Sequence, residues 1–265
     1  FVGTYYSYEN FLNITGFIHV VQKNETILSP DYYVFDIMFV ILIFFFLSVL
    51  FQYESICLNR GFIEDITKGV NKYVENVGFN FMLSGIFYLG WLINFLIYTH
   101  ASIIISTICI LISVYFGLLV DHKTKSFSSE RNCYEIIFGS IPLSMFLGWN
   151  IILFLLTFTR AATMKSDFDK DSIYIFYICI LLFITFCLLV YLMNFSNYVL
   201  MLVNLYYATN MLVKYYNADN ILKYGTIIDL CLIIFALIIK MLIDIKRCKR
   251  YKSFRNGEEL NENLI

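Results

Sequence analysis

Charge is what this sequence has least of. Lys, Arg, Asp and Glu make up 15% of its 265 residues, where a soluble domain carries roughly a quarter. Proline occurs twice, tryptophan twice and histidine three times. Each shortage removes a class of function. A net charge of -1 offers no basic face to nucleic acid. His19, His100 and His122 stand far apart, so ligation of haem or metal by paired histidines has no basis. H-E-x-x-H, a P-loop, a glycine-rich phosphate loop and an ordered Ser-His-Asp set are all missing. No catalytic constellation remains, and the expectation is a protein that is not an enzyme. Seven cysteines lie mostly inside apolar runs, none in a C-x-x-C pair. They read as small buried hydrophobes, not as disulfides or metal ligands.

What is abundant is apolar surface. Hydrophobic residues make up 60% and aromatics 19%, and the mean hydropathy is +0.72. Apolar runs near 20 residues recur at roughly 33–53, 78–98, 101–119, 134–159, 172–193, 196–215 and 225–243. Such runs are long enough to cross a bilayer as helices. Backbone polar groups in lipid must be satisfied internally, and the alternation of a β-barrel is missing. The fold class is therefore all-α: a polytopic transmembrane helix bundle of about seven spans. Usage leans on Phe, Tyr, Ile, Asn and Lys, residues with AT-rich codons. In so Asn-rich a chain the sequons at Asn13, Asn24 and Asn194 are expected by chance.

Loops 54–77 and 120–133 and the tail "KRCKRYKSFR" carry the basic residues that the positive-inside rule assigns to one side. This orientation puts residue 1 outside and residue 265 inside. Residues 1–265 read as one membrane domain, with an extramembrane segment at 1–30 and a basic, then polar, tail at 245–265. Two turns are very short, "THAS" and "MNFSN". They predict that spans two and three, and spans five and six, are antiparallel neighbours.

Few ionisable groups fall within the spans. Asp36 stands at the start of the first, and Asp229 about a turn into the last. Lys240 and Asp244 are spaced to pair or snorkel near its inner end. Carboxylates at mid-depth, which a proton pathway needs, are missing from this reading. Asn94, Asn150, Thr157, Asn204 and Asn210 are expected to bond between helices. The stretch "GSIPLSMFLGWN" stands out. Ser140, Ser144 and Gly148 form a small-residue stripe for close helix packing, Pro142 predicts a bend, and Trp149 follows.

This segment, continued as "PLSMFLGWNIILFLLT", resembles the fingerprint P-F-x-I-Y-x-G-W of the tryptophan-rich sensory protein/translocator protein (TspO/MBR) family, with Pro142, Gly148 and Trp149 at matching spacing. Three more segments follow in the family's order. "FDIM" to "FQ" keeps Phe35, Ile37 and Gln52 of the F-S-I-W segment. "YLGWLINFLIYTHAS" keeps Trp91 of N-x-x-W, and "NLYYATNMLVKYY" resembles the W-A-L segment through Tyr207 and Ala208. The likeness spans roughly residues 30–240 and is closer to the longer, eight-helix relatives, whose additional first helix would lie upstream of Phe1. The departures are Met38 for Trp, Tyr88 for Asn, and Thr157 where relatives often have Asn.

The resemblance implies a helical bundle that binds a porphyrin or sterol in an aromatic-lined cavity. On that reading the ligand is a tetrapyrrole or lipid, and the residues to test are Trp91, Trp149, Asn150 and Tyr207. The alternative is an accessory structural subunit of a large membrane complex. It draws on the lost Trp positions and the AT-rich composition, and favours other membrane subunits as partners and the mitochondrial inner membrane as location. A seven-helix receptor ranks below both, since D-R-Y-like and N-P-x-x-Y sequences are missing.

Overall fold

The computed structural model describes residues 37–57, 61–97, 99–126, 136–164, 170–216 and 220–262. The 1–30 segment, Phe35, Asp36, His19 and the sequons at Asn13 and Asn24 lie outside the described residues, as does the side chain of Gln52. The described chain forms seven α-helices. They are α1 (Ile37–Cys57), α2 (Gly61–Ile97), α3 (His100–Ser126), α4 (Ile141–Thr163), α5 (Lys170–Phe195), α6 (Tyr198–Tyr215) and α7 (Asn220–Glu262). Among the described residues there is no strand. Helices α2, α3, α4, α5 and α7 are each long and apolar enough to cross a membrane. In α1 the corresponding apolar stretch is Ile37–Leu47. Helix α6, 18 residues long, carries Asn204, Asn210 and Lys214 among its apolar residues.

Helix α4 is the hub. Within its apolar window 72% of residues are buried, against 28% in α5 and α7. It packs on α3 along one side and on α6 along another, and α1 rests on α2 and α4. The outer helices turn their remaining apolar residues outward, as lipid requires: Phe183 and Phe186 of α5 and Phe235 of α7 are more than 60% exposed. Cys179, Cys187 and Cys231 point outward too, so these three are lipid-facing residues of the spans and not the buried fillers expected of them.

The two short turns behave differently. "THAS" is a reciprocal helix cap. Ser102 N–H donates to Thr99 Oγ1 at 3.1 Å, and Thr99 N–H donates to Ser102 Oγ at 2.7 Å. Two otherwise orphaned donors are satisfied, and α2 and α3 run back to back as expected. Between α5 and α6, Ser196 takes φ 55°, a left-handed conformation that ends a helix abruptly. Asn197 then caps α6, its Oδ1 accepting from Leu200 N–H at 3.0 Å. The adjacency expected of α5 and α6 does not continue past the turn. Helix α6 packs on α4 and α7, while α5 packs on α7. At its start α6 is held by the bonds of Asn197 to Asp121 of α3 and Ser144 of α4, and beyond the turn it follows α4.

Pro142 falls at a helix start and not inside a span, so the bend expected from it is not required. A π-helical turn, Ile136–Ser140, precedes α4, and Pro142 occupies the first turn of α4 proper. Proline lacks the N–H that an α-helix donates to the preceding turn. A wider turn just ahead of it changes which carbonyls need donors. The tail is also more regular than its composition suggests, because α7 continues to Glu262.

Candidate functional site

The small-residue stripe faces α6. A Cβ placed on Gly148 would lie 3.0 Å from Val203 Cβ, 3.1 Å from its Cγ1 and 3.4 Å from the Leu200 carbonyl oxygen. Only glycine lets the two backbones approach this closely. Four residues earlier, Ser144 Oγ receives an N–H from Asn197 Nδ2 at 3.1 Å and donates to Asp121 Oδ1 at 3.3 Å. Pro142 and Ser140 stand at the start of the same helix. Gly148 thus packs directly on α6, and Ser144 bonds to the residue that caps it.

Trp149, one residue past Gly148, is 1% exposed. It belongs to one contiguous buried cluster with Trp91, Phe146, Tyr177, Val203 and Tyr207. Three of the four residues singled out from the sequence, Trp91 of α2, Trp149 of α4 and Tyr207 of α6, therefore belong to a single core to which α1 to α6 all contribute. Rings run through this core from α1 to the end of α2. Phe45, Phe81 and Phe146 form a triangle with centroids 5.4–6.1 Å apart. Tyr88 meets both Phe146 and Trp91 at 5.4 Å, and Trp91 stacks on Phe95 at 5.3 Å. Such ring pairs add about 1 kcal/mol each beyond area burial.

Trp91 is also the point on which the three motif departures converge. Its indole Nε1–H donates to Thr157 Oγ1 at 2.9 Å. Its neighbour Tyr88 turns its hydroxyl toward Met38 Sδ at 3.9 Å, a weak acceptor. Thr157, Tyr88 and Met38 thus form one local environment, so the substitutions at these positions are physically linked.

Asn150 is separate from the aromatic cluster. It points toward α3, where its Nδ2 donates to Ser113 Oγ at 3.0 Å. Ser113 in turn exchanges hydrogen bonds with Ser84 of α2, each hydroxyl donating to the other's backbone carbonyl at 2.8–2.9 Å. Asn150 is fully buried, yet its Oδ1 has no hydrogen-bond partner. An unpaired buried carbonyl costs about 1–3 kcal/mol.

The remaining asparagines do not act as expected. The amides of Asn94, Asn204 and Asn210 donate to Gly90, Leu200 and Tyr206 of their own helices, at 2.7–2.9 Å. A side-chain amide one turn past a carbonyl reaches it more easily than a neighbouring helix. Interhelical bonds come instead from serines, threonines and tyrosines, from Asn150 and Lys240, and from two carboxylates, one of which, Asp121, falls in the stretch 120–133 read as a loop.

Asp121 is 4% exposed near the end of α3. Its Oδ1 accepts from Asn197 Nδ2 at 2.8 Å, and its Oδ2 accepts from the Tyr191 hydroxyl. With Ser144 it ties together α3, α4, α5 and the start of α6. At the same end of the bundle, Lys240 is buried and pairs with Asp244 at 3.1 Å, as the i,i+4 spacing predicts. Its Nζ also donates to the Met193 carbonyl at 3.2 Å, and the Tyr198 hydroxyl donates to Asp244 at 2.6 Å. These two networks clamp one end of the bundle.

Asp229 is deeper than the sequence indicates. Helix α7 begins at Asn220, so this residue lies nine positions in, about 13 Å along the helix axis. It is a mid-span carboxylate, of the kind the sequence reading found missing. It is 1% exposed and lines a small cavity with Thr185, Asn204, Tyr207 and six aliphatic side chains. The cavity measures ≈ 10 Å³, room for about one water molecule. Among the described residues no group of three or more His, Cys, Asp or Glu is placed to hold a metal.

A helical bundle with a buried polar interior and apolar outer faces defines a multi-pass integral membrane protein. A family model described as TSPO-like protein matches residues 1–243. The chain belongs to the TSPO-like family, in agreement with the motif resemblance. Comparisons with curated proteins and with solved structures gave no match.

Proposed function

We propose that this is a non-catalytic membrane protein that binds a hydrophobic ligand, of tetrapyrrole or sterol class, in the core between α2, α4 and α6. Family membership supports the class of function. The observation that carries it to this site is the gathering of Trp91, Trp149 and Tyr207 in one buried cluster. Asn150 lies outside this cluster, on the side of α4 that bonds to Ser113 of α3, so it is not part of the proposed site. The rings fill the core against one another, so binding requires the helices to part around the ligand. The test is a thermal-unfolding panel on the detergent-purified chain with porphyrins, sterols and phospholipids. A saturable rise in Tm with one class supports the reading. No response to any of them refutes it.

The second reading is an accessory subunit of a larger membrane complex, with other membrane subunits as partners. The mutual packing of Tyr88, Trp91, Phe95 and Phe146 favours it, since these rings fill the aromatic core with one another. The AT-rich composition then favours the mitochondrial inner membrane. Native gels of gently solubilised membranes test this reading: migration only as a small monomer refutes it.

A further inference from the structure

The cavity beside Asp229 has its own chemistry. Its carboxylate is 1% exposed, and Oδ1 has no hydrogen-bond partner. Thr185 of α5 lines the same cavity. The described lining consists of Ile, Leu, Thr185, Asn204, Tyr207 and Asp229, with no basic side chain. The two α7 lysines that flank Asp229 in sequence are engaged elsewhere: Lys223 lies 4.2 Å above the Tyr216 ring, and Lys240 pairs with Asp244. A bare carboxylate in a lipid-embedded interior costs several kcal/mol. A proton on either oxygen would remove the charge, yet Oδ1 would still be left without a partner, as O–H donor or as carbonyl acceptor.

We propose that the Asp229 cavity binds one small monovalent cation of about sodium's size. The site offers hard oxygen ligands from three helices. They are the free Asp229 oxygen of α7, Thr185 Oγ of α5 and the Asn204 carbonyl of α6, whose amide already donates to Leu200. The space suits a guest of about one water's volume. A cation here neutralises the carboxylate and links α5, α6 and α7, where α5 and α6 otherwise barely touch. Ionisable groups within spans mark ion or ligand sites by default. The site shares Tyr207 with the aromatic core, but the proposal does not rest on the hydrophobic-ligand reading. The two are tested with different additives.

The test is thermal unfolding of the full chain in detergent, with sodium replaced by choline at constant ionic strength. Near neutral pH, an excess of sodium about 100-fold over Kd is expected to raise Tm by roughly 5–10 °C. The rise is expected to vanish in Asp229→Asn and to weaken in Thr185→Val. An equal rise in Asp229→Asn overturns the proposal, because the ion then acts elsewhere. No sodium response, whether or not mild acid stabilises the protein, also overturns it; a rise with acid alone makes the guest a proton. The titratable groups lining the cavity are Asp229 and Tyr207. If Asp229→Asn does not fold, sodium NMR on the unaltered protein decides. Line broadening reversed by lithium is expected, and its absence overturns the site.

Discussion

Gly148→Ala tests the contact between α4 and α6. In a helix interior, replacing glycine by alanine is favourable by about 1 kcal/mol, through backbone entropy. Opposing this, the added Cβ meets Val203 at 3.0 and 3.1 Å, about half an ångström inside the optimum for carbon pairs. Val203 is 4% exposed and, being β-branched, has essentially one helical rotamer. It cannot swing away, and the Leu200 carbonyl behind it at 3.4 Å is backbone. The helices must separate by a few tenths of an ångström, an overpacking cost of about 1–3 kcal/mol. The net effect is destabilisation by about 1 kcal/mol. Gly85 is the control, because a Cβ there meets nothing within 4 Å. Gly85→Ala should stabilise by about 1 kcal/mol. Reversible unfolding in mixed detergent and SDS micelles measures both, and the variants should differ by about 2 kcal/mol. Adding Val203→Ala to Gly148→Ala should return part of the loss, a coupling typical of residues in contact. Equal stabilisation by Gly148→Ala and Gly85→Ala would refute the close approach of α4 and α6.

Three further outcomes follow. Thr157→Val leaves the buried Trp91 indole N–H without its acceptor and should cost about 1–3 kcal/mol, measured in the same micelles; Thr157→Asn should recover much of it. Asp121→Ala removes the acceptor shared by Tyr191, Asn197 and Ser144 and should cost on the order of 3 kcal/mol. Combined with Tyr191→Phe it should fall short of additivity, which a double-mutant cycle reads directly. Asp244→Ala strands the buried Lys240 and should cost about 1–3 kcal/mol, whereas Lys240→Met, which keeps the stem and removes the charge, should lie within about 1 kcal/mol of the parent; comparison of their Tm values checks the order.

The helical bundle was legible because lipid imposes long apolar runs, and each of the seven runs holds a helix. The stripe at Ser144 and Gly148 was legible for a related reason: small residues at helical spacing have few other uses in a span. What escaped was the fate of polar groups. Asp121 opens the charged stretch "DHKTK", so hydropathy alone assigned it to a loop. Its burial depends on Tyr191 and Asn197, seventy or more residues away. Asp229 looked peripheral because "NADNILKYGT" is polar enough to hide the start of α7. Asn94, Asn204 and Asn210 looked like interhelical partners, but whether an amide turns to its own helix depends on local rotamers that spacing does not encode. The divergence of α5 and α6 involves the left-handed Ser196 and the long-range bonds of Asn197 to Asp121 and Ser144, which spacing does not encode. At the candidate site, Trp91, Trp149 and Tyr207 were visible as motif positions. The convergence of Met38, Tyr88 and Thr157 on Trp91 became visible only in three dimensions.

The most direct test of ligand binding is tryptophan fluorescence, since the chain has only Trp91 and Trp149. Both lie in the same buried core. With Trp91 replaced by Phe, Trp149 becomes the sole indole emitter. Titration with a porphyrin is then expected to quench Trp149 saturably, with one ligand per chain at the plateau. In the complementary Trp149→Leu protein, the apparent affinity reported by Trp91 should fall at least tenfold. Linear, unsaturable quenching, or an affinity unchanged by Trp149→Leu, would contradict a ligand site in this core.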